Sequence, residues 1–218
     1  GSHNQRQLSR VAHRRLFVKQ QISLWKLGLA VCVLLALVWI GWRIIVQTTA
    51  QNLAATDPAA ALRWYPQESS ALNQLVEQEL SKPTGNLDAA REWSQRALRA
   101  NPLDAHALAL LGLIADRKGD QKGAETLMRM AGARTWRDRT SQSWLFDSDV
   151  RKGDYVHALP HLDAILRVNL DAATELFPVL AALTVTPAAF KALTEFLATS
   201  PPWRTWFLGG LSNRLANQ

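Results

Sequence analysis

The tetrapeptide Arg-Lys-Gly-Asp occurs twice, at 117–120 and 151–154, with its glycines 34 residues apart. The same step backward from Gly119 reaches Gly85, which is followed by Asn86. Five residues after each glycine stands an alanine: Ala90, Ala124 and Ala158. Seven further on come Ala97, Ala131 and Ile165. A fixed period constrains a fold more than any composition does. A unit of this length is one supersecondary element that cannot bury its apolar face alone, so its neighbours must stack.

Each unit reads as two helices around a turn. Glycine suits the left-handed residue that ends the first helix. Asn86, Asp120 and Asp154 follow as candidate N-caps of the second. Alanines and Gly112 fall where the two helices cross, and small residues there allow close approach. No convincing strand pattern interrupts this, so the body reads as all-α.

The spacing resembles the tetratricopeptide repeat, whose pattern has an apolar residue at position 4, Leu-Gly at 7–8, Gly at 15, Ala at 20, a large apolar or aromatic residue at 24, Ala at 27 and Pro at 32. The unit from Ala105 to Asp138 matches best, with Leu108, Leu111, Gly112, Gly119, Ala124, Met128 and Ala131 in place and Trp136 where proline is expected. The unit from Ala71 to Asp104 keeps Gly85, Ala90, Ala97 and Pro102, but has Gln74, Glu77 and Gln78 in its first helix. The unit from Arg139 to Ala172 keeps Leu145, Gly153, Ala158 and Leu162, with Phe146 replacing glycine. The resemblance implies an α-solenoid of about three degenerate repeats over 71–172. Residues 48–70 are expected as linker and partial repeat, with a helix from Pro58 to Trp64. Residues 173–218 are expected as capping helices. These are Ala172 to Leu183, Pro187 to Ala198 with Thr186 as cap, and a last helix to Ala216 presenting Trp206, Phe207, Leu208, Leu211 and Leu215.

Ahead of the repeats, residues 24–47 form an apolar segment with no charge between Leu27 and Trp42. With Lys26 and Arg43 snorkelling at its ends it is long enough to cross a bilayer, and Trp25, Trp39 and Trp42 sit where indoles favour the interface. A cleaved signal peptide would be shorter and end at a small-x-small site, of which Thr49-Ala50-Gln51 and Ala54-Ala55 are the nearest approximations. A buried core helix would keep a polar face. Gly1-Ser2-His3 reads as a tag remnant, and residues 4–23 as a basic arm.

The formal charge of +7 invites a nucleic-acid reading, but its distribution removes it. Residues 1–43 hold seven Lys/Arg and no acid, while the remaining 175 hold 18 of each sign. The basic arm places the N-terminus in the cytoplasm by the positive-inside rule, and the repeats on the other side, which in a Gram-negative bacterium is the periplasm. Cys32, the sole cysteine, lies within the span, so the body has no thiol to mispair.

Signatures of catalysis are missing: no Gly-x-Ser-x-Gly, no thiol outside the span and no phosphate loop. Nothing calls for a cofactor, and the expectation is a non-enzyme. His157 and His161 stand four apart like metal ligands, but no glutamate follows His157, and Pro160 disturbs that turn, so no metal site is expected. Arg129, Arg134, Arg137 and Arg139 with Trp136 and Trp144 could hold an acidic peptide, a phosphate or a sugar chain. The alternative is a loop with Trp136 plugging the core, and Trp93 likewise reads as core.

Tetratricopeptide arrays bind an extended peptide or helix on the face of their first helices. By resemblance that face holds His106, Ala109, Leu113 and Asp116 in the middle unit and Thr140, Ser143, Asp147 and Val150 in the third. An anchor followed by exported repeats resembles envelope-assembly factors, foremost those of bacterial polysaccharide synthesis or export. An apocytochrome chaperone of cytochrome maturation and an ancillary translocon subunit share the layout. The expected partners are therefore the bilayer and an envelope protein, with polysaccharide a further candidate.

Overall fold

The computed structural model describes residues 29, 31–168 and 172–216. The expectations for residues 1–28 (tag remnant, basic arm and the start of the apolar segment) lie outside the described residues, as do Ala30, 169–171 and 217–218.

Among the described residues the chain is all-helical, with no strand. The first helix, α1 (Val31–Ala54), is long and apolar enough to cross a membrane, and the other described residues cover none of its apolar window. The segment expected at 24–47 thus continues as helix through 48–54, where linker was expected. Its last turn is not free. Ala54 is buried against Ala61 and Ala71, so α1 packs directly on the helices that follow.

Those helices are α2 (Pro58–Trp64), α3 (Ser69–Ser81), α4 (Leu87–Ala100), α5 (Ala105–Arg117), α6 (Gln121–Arg134), α7 (Arg139–Arg151) and α8 (Tyr155–Val168). The chain ends with α9 (Ala172–Ala182), α10 (Pro187–Ala198) and α11 (Arg204–Ala216). Starts of α4, α6 and α8 recur at the 34-residue step, because an Asn or Asp precedes each. Asn86 Oδ1 accepts from the Asp88 and Ala89 amides, Asp120 Oδ1 from Gly123, and Asp154 Oδ1 from His157. Asp104 and Asp138 cap α5 and α7 in the same way.

Three helix pairs pack as hairpins: α3 with α4, α5 with α6, and α7 with α8. Second helices also meet the next first helix, α4 with α5 and α6 with α7, while α5 touches both α3 and α7. Ala90, Ala97, Ala124 and Ala131 are fully buried at these crossings, and Ala158 nearly so. Gly112 packs on Met128, and a side chain there would collide with its thioether. Leu111 and Trp93 are half-buried against the core of the first two pairs.

The turn glycines divide into two kinds. Gly119 and Gly153 adopt φ +82° and +73°, the left-handed conformation expected of them. After each, the amide of Asp120 or Asp154 reaches back to the Ala115 or Asp149 carbonyl and closes the helix end. Gly85 departs from this. It has no positive φ; it lies instead so close to the Glu79 carbonyl that a Cβ could not fit. The physical reason is that α3 ends at Ser81, and the chain returns to α4 through the longer 82–86 connection containing Pro83.

Two further local expectations change. Pro160 does not break α8, which runs through it. Thr186 precedes Pro187 at the start of α10 but makes no side-chain capping bond. The C-terminal core is formed by α7 to α11, with Leu180 of α9 fully buried and Trp203 and Phe207 almost wholly so. Trp203 Nε1 donates to Asp163 Oδ1 at 2.9 Å, tying the turn before α11 to α8. Gly210 packs against the Phe177 ring. Of the expected sealing face on α11, Phe207 is buried and Leu211 half-buried, whereas Trp206 and Leu208 remain exposed. The side chain of Leu215 lies outside the described residues.

Candidate partner-binding face

The first helices are linked by a repeated clasp. A cap carboxylate uses one oxygen for its own helix and the other for the preceding first helix. Asp104 Oδ1 accepts from the Ala107 amide and Oδ2 from Asn73 Nδ2, both at 3.0 Å. Asp138 Oδ2 accepts from the Ser141 amide at 2.8 Å, and Oδ1 lies 2.9 Å from His106 Nδ1. His106 Nε2 in turn lies 2.8 Å from Glu77 Oε1 on α3. One imidazole therefore spans α3, α5 and the start of α7.

Both partners are carboxylates, so the protonated ring suits the geometry. The hydrogen bond to Asp138 pushes the His106 pKa up to about 9, against an opposing effect of burial, and Glu77 adds to the rise. Burial alone would raise Asp138, but hydrogen bonds from His106 and Ser141 outweigh it and hold the carboxyl below its ordinary value.

The groove candidates separate by exposure. Ala109 is fully buried against α6 and α7, so it offers no surface to a partner. His106 is half-buried, with both nitrogens engaged. Leu113, Asp116, Thr140, Ser143 and Val150 are half-buried, Val150 against the C-terminal core, and Asp147 is exposed. Asp116 accepts from Gln121 Nε2 at 2.6 Å. Neither Asp116 nor Asp147 has an ion-pair partner among the described residues.

Lys118, Lys152 and Arg117 are turned toward the preceding unit. Lys118 pairs with Asp88 at 2.5 Å and Lys152 with Glu125 at 2.8 Å, each reaching from a first-helix end to the preceding unit's second helix. Arg117 donates to the Leu80 carbonyl. The repeated Arg-Lys-Gly-Asp is thus a joint between units as well as a turn.

The members of the expected basic–aromatic patch differ in their surroundings, although Arg129, Arg134, Trp136, Arg137 and Arg139 are all exposed. Arg129 is held between Glu125 at 2.8 Å and Asp149 at 3.2 Å. Arg134 donates to the Pro102 carbonyl; Pro102 itself is exposed. Arg139 also has a partner. Trp144 is buried in the core of the middle units, with its indole nitrogen unpaired, so it cannot serve as a stacking surface. Trp136 is exposed, with the Arg137 guanidinium 5.2 Å from its ring centre.

No family model matches the chain, and no curated protein does.

The two histidines of the 157–161 stretch face different neighbours. His157 is exposed and pairs with Asp154 at 2.7 Å. His161 meets Gln142 Oε1 at 2.6 Å through Nδ1, and its Nε2 lies 3.8 Å from the buried Asp149. Burial holds the His161 pKa below its ordinary value, although Asp149 opposes this. Among the described residues no three His, Cys, Asp or Glu side chains gather as metal ligands. Sequence reasoning missed Asp104, Asp138 and Asp149. The first two carried a signal, since they stand 34 residues apart ahead of first helices.

Proposed function

We propose that this chain is a single-pass, membrane-anchored scaffold of tetratricopeptide type that holds a protein partner on the face of its first helices. The observation that carries the reading is the recurrence of helix starts and carboxylate caps at the 34-residue step. It produces α3, α5 and α7 as successive neighbours, and such a row presents one continuous surface. That surface carries Asp116 and Asp147, neither in an ion pair among the described residues, so it favours a partner segment bearing Lys or Arg. The polar side chains nearby are engaged in clasps and joints between units, which supports gripping rather than reaction.

The basic arm argues for a cytoplasmic N-terminus and repeats on the far side of the membrane. In that orientation the resemblance favours a role in a bacterial polysaccharide synthesis or export machine. The test is photo-crosslinking from Leu113, Ser143 and Asp147 in cells, with Gln95 and Thr126 on second helices as controls. A discrete protein adduct from the first set alone supports the reading; lipid adducts or none overturn it. A reporter fused after Gln218 tests orientation, and activity in the cytoplasm would reverse the assignment.

A further inference from the structure

The connections from α2 to α3, α4 to α5 and α6 to α7 follow one another along one edge of the body. Arg96 of α4 donates to the Pro66 carbonyl at 3.2 Å, and Arg134 of α6 to the Pro102 carbonyl at 2.6 Å, so each connection is tied to the helix that ends at the next. Large apolar side chains stand out along this edge: Trp64 (56 % exposed) at the end of α2, Leu103 (80 %) and Trp136 (48 %). Exposed beside them are Arg63, Arg99 and Arg137, none with an ion-pair partner among the described residues. The acids that lead into the first helices here are already engaged: Glu68 with Ser70, Asp104 with Asn73 and Asp138 with His106. At the opposite edge the cations are neutralised, Lys82 by Glu79, Lys118 by Asp88 and Lys152 by Glu125.

The anchor meets the body at the arginine edge. Ala54 shares a core with Ala61 of α2 and with Ala71 in the first turn of α3, and Leu53 and Leu62 pack against it, so α2 turns back on α1 across residues 55–57. The seven residues of α2 rise about 10 Å, which brings Trp64 level with the part of α1 around Gln47. That is where the apolar segment ends, and where an indole favours the membrane–water boundary.

We propose that this edge rests on the anionic headgroups of the bilayer that α1 crosses, with the repeats stacked along the membrane surface. The free guanidinium groups meet lipid phosphates, while Trp64, Leu103 and Trp136 enter the headgroup boundary. The contact goes beyond the scaffold reading and rests only on its anchor.

The test uses the full chain carrying Cys32→Ser, with one environment-sensitive fluorophore at Leu103→Cys or, as control on the opposite edge, at Thr84→Cys. The protein is reconstituted in vesicles of phosphatidylcholine with phosphatidylglycerol, with or without nitroxide-labelled lipid. The expected result is blue-shifted emission at 103, quenched by the nitroxide lipid, with position 84 unaffected. Arg63→Glu, Arg99→Glu and Arg137→Glu together abolish the quenching while circular dichroism stays unchanged. Raising ionic strength from 0.01 to 0.15 M shortens the screening length from about 30 to about 8 Å and weakens it. Solvent-like emission at 103 overturns the proposal. So does a blue shift without lipid quenching, which would mean that protein covers the edge. Equal quenching in pure phosphatidylcholine, at position 84 or in the triple variant overturns it as well. Retention on floated vesicles after an alkaline carbonate wash reports α1 separately, and loss at that step removes the anchor and the proposal with it. Crosslinking from α5 and α7 is independent of the fluorescence outcomes.

Discussion

His106 Nδ1 lies 2.9 Å from an oxygen of Asp138 whose carboxylate already caps α7 through its other oxygen. The pair joins the middle unit to the third, and Glu77 extends the link to the first. Because the fold favours the charged ring, the sign of its pH effect is set. Its contribution is complete below pH 6.5, where the unfolded chain's imidazole is also protonated, and is lost as pH rises through about 9. We expect the full chain in detergent to melt at lower temperature as pH goes from 7 to 9.5. His106→Gln should flatten that limb. His106→Ala, leaving a buried Asp138 oxygen without its donor, should cost roughly 1–3 kcal/mol in chemical denaturation at neutral pH.

His161 acts in the opposite sense. Its folded pKa is depressed, so its stabilising contribution is present above 6.5 and declines as pH falls through the folded value. Melting temperature against pH should therefore decline on both sides of a maximum between the two limbs. His161→Gln should reduce the loss just below 6.5 while leaving the alkaline limb intact. A unchanged acid limb would show that His161 is not its source.

Alanine substitutions at the turn glycines should rank by cause. Gly119→Ala and Gly153→Ala meet no neighbour but must hold a left-handed backbone, costing about 1–2 kcal/mol each. Gly85→Ala carries no such strain, yet its methyl must displace the Glu79 backbone, so its cost should be larger. Equal losses at all three, measured by urea titration, would refute the distinction.

Trp203 combines apolar burial with a hydrogen bond, and two variants separate them. Trp203→Phe keeps most of the ring and loses the donor to Asp163, for about 1 kcal/mol. Trp203→Ala should cost roughly 3–5 kcal/mol and free α11 from α8. Amide hydrogen exchange should then show early opening of α10 and α11 while α3–α6 stay protected.

On the proposed binding face, Asp147→Lys reverses an exposed charge without touching the core. We expect a Tm within about a degree of the parent, since surface changes seldom exceed 0.5 kcal/mol. Partner capture should nonetheless fall about tenfold or more if Asp147 faces a basic segment, because a like-charge contact is costly. Undiminished capture would move the binding surface elsewhere.

The helices were legible because their punctuation is local. Asp or Asn caps, glycine turns and Pro187 lie within a few residues of the boundary they set, which is why the reading from Pro187 to Ala198 coincides with α10. Facing was harder. Ala109 and Trp144 have the right spacing for an outer surface and for a stacking patch, yet both are buried. Burial there depends on how closely neighbouring helices approach, which spacing along one helix does not encode. The clasp was half legible: Asp138 announces a cap, but its grip on His106, 32 residues away, exists only once the units stack. Gly85 misled because a residue without a side chain answers either strain or crowding, and its letter is the same for both.

The small alanine junction at Ala54, Ala61 and Ala71 seats the rod directly on the helices that follow it. A lean that lipid thickness imposes on α1 therefore presses on α2 and α3 before any other helix.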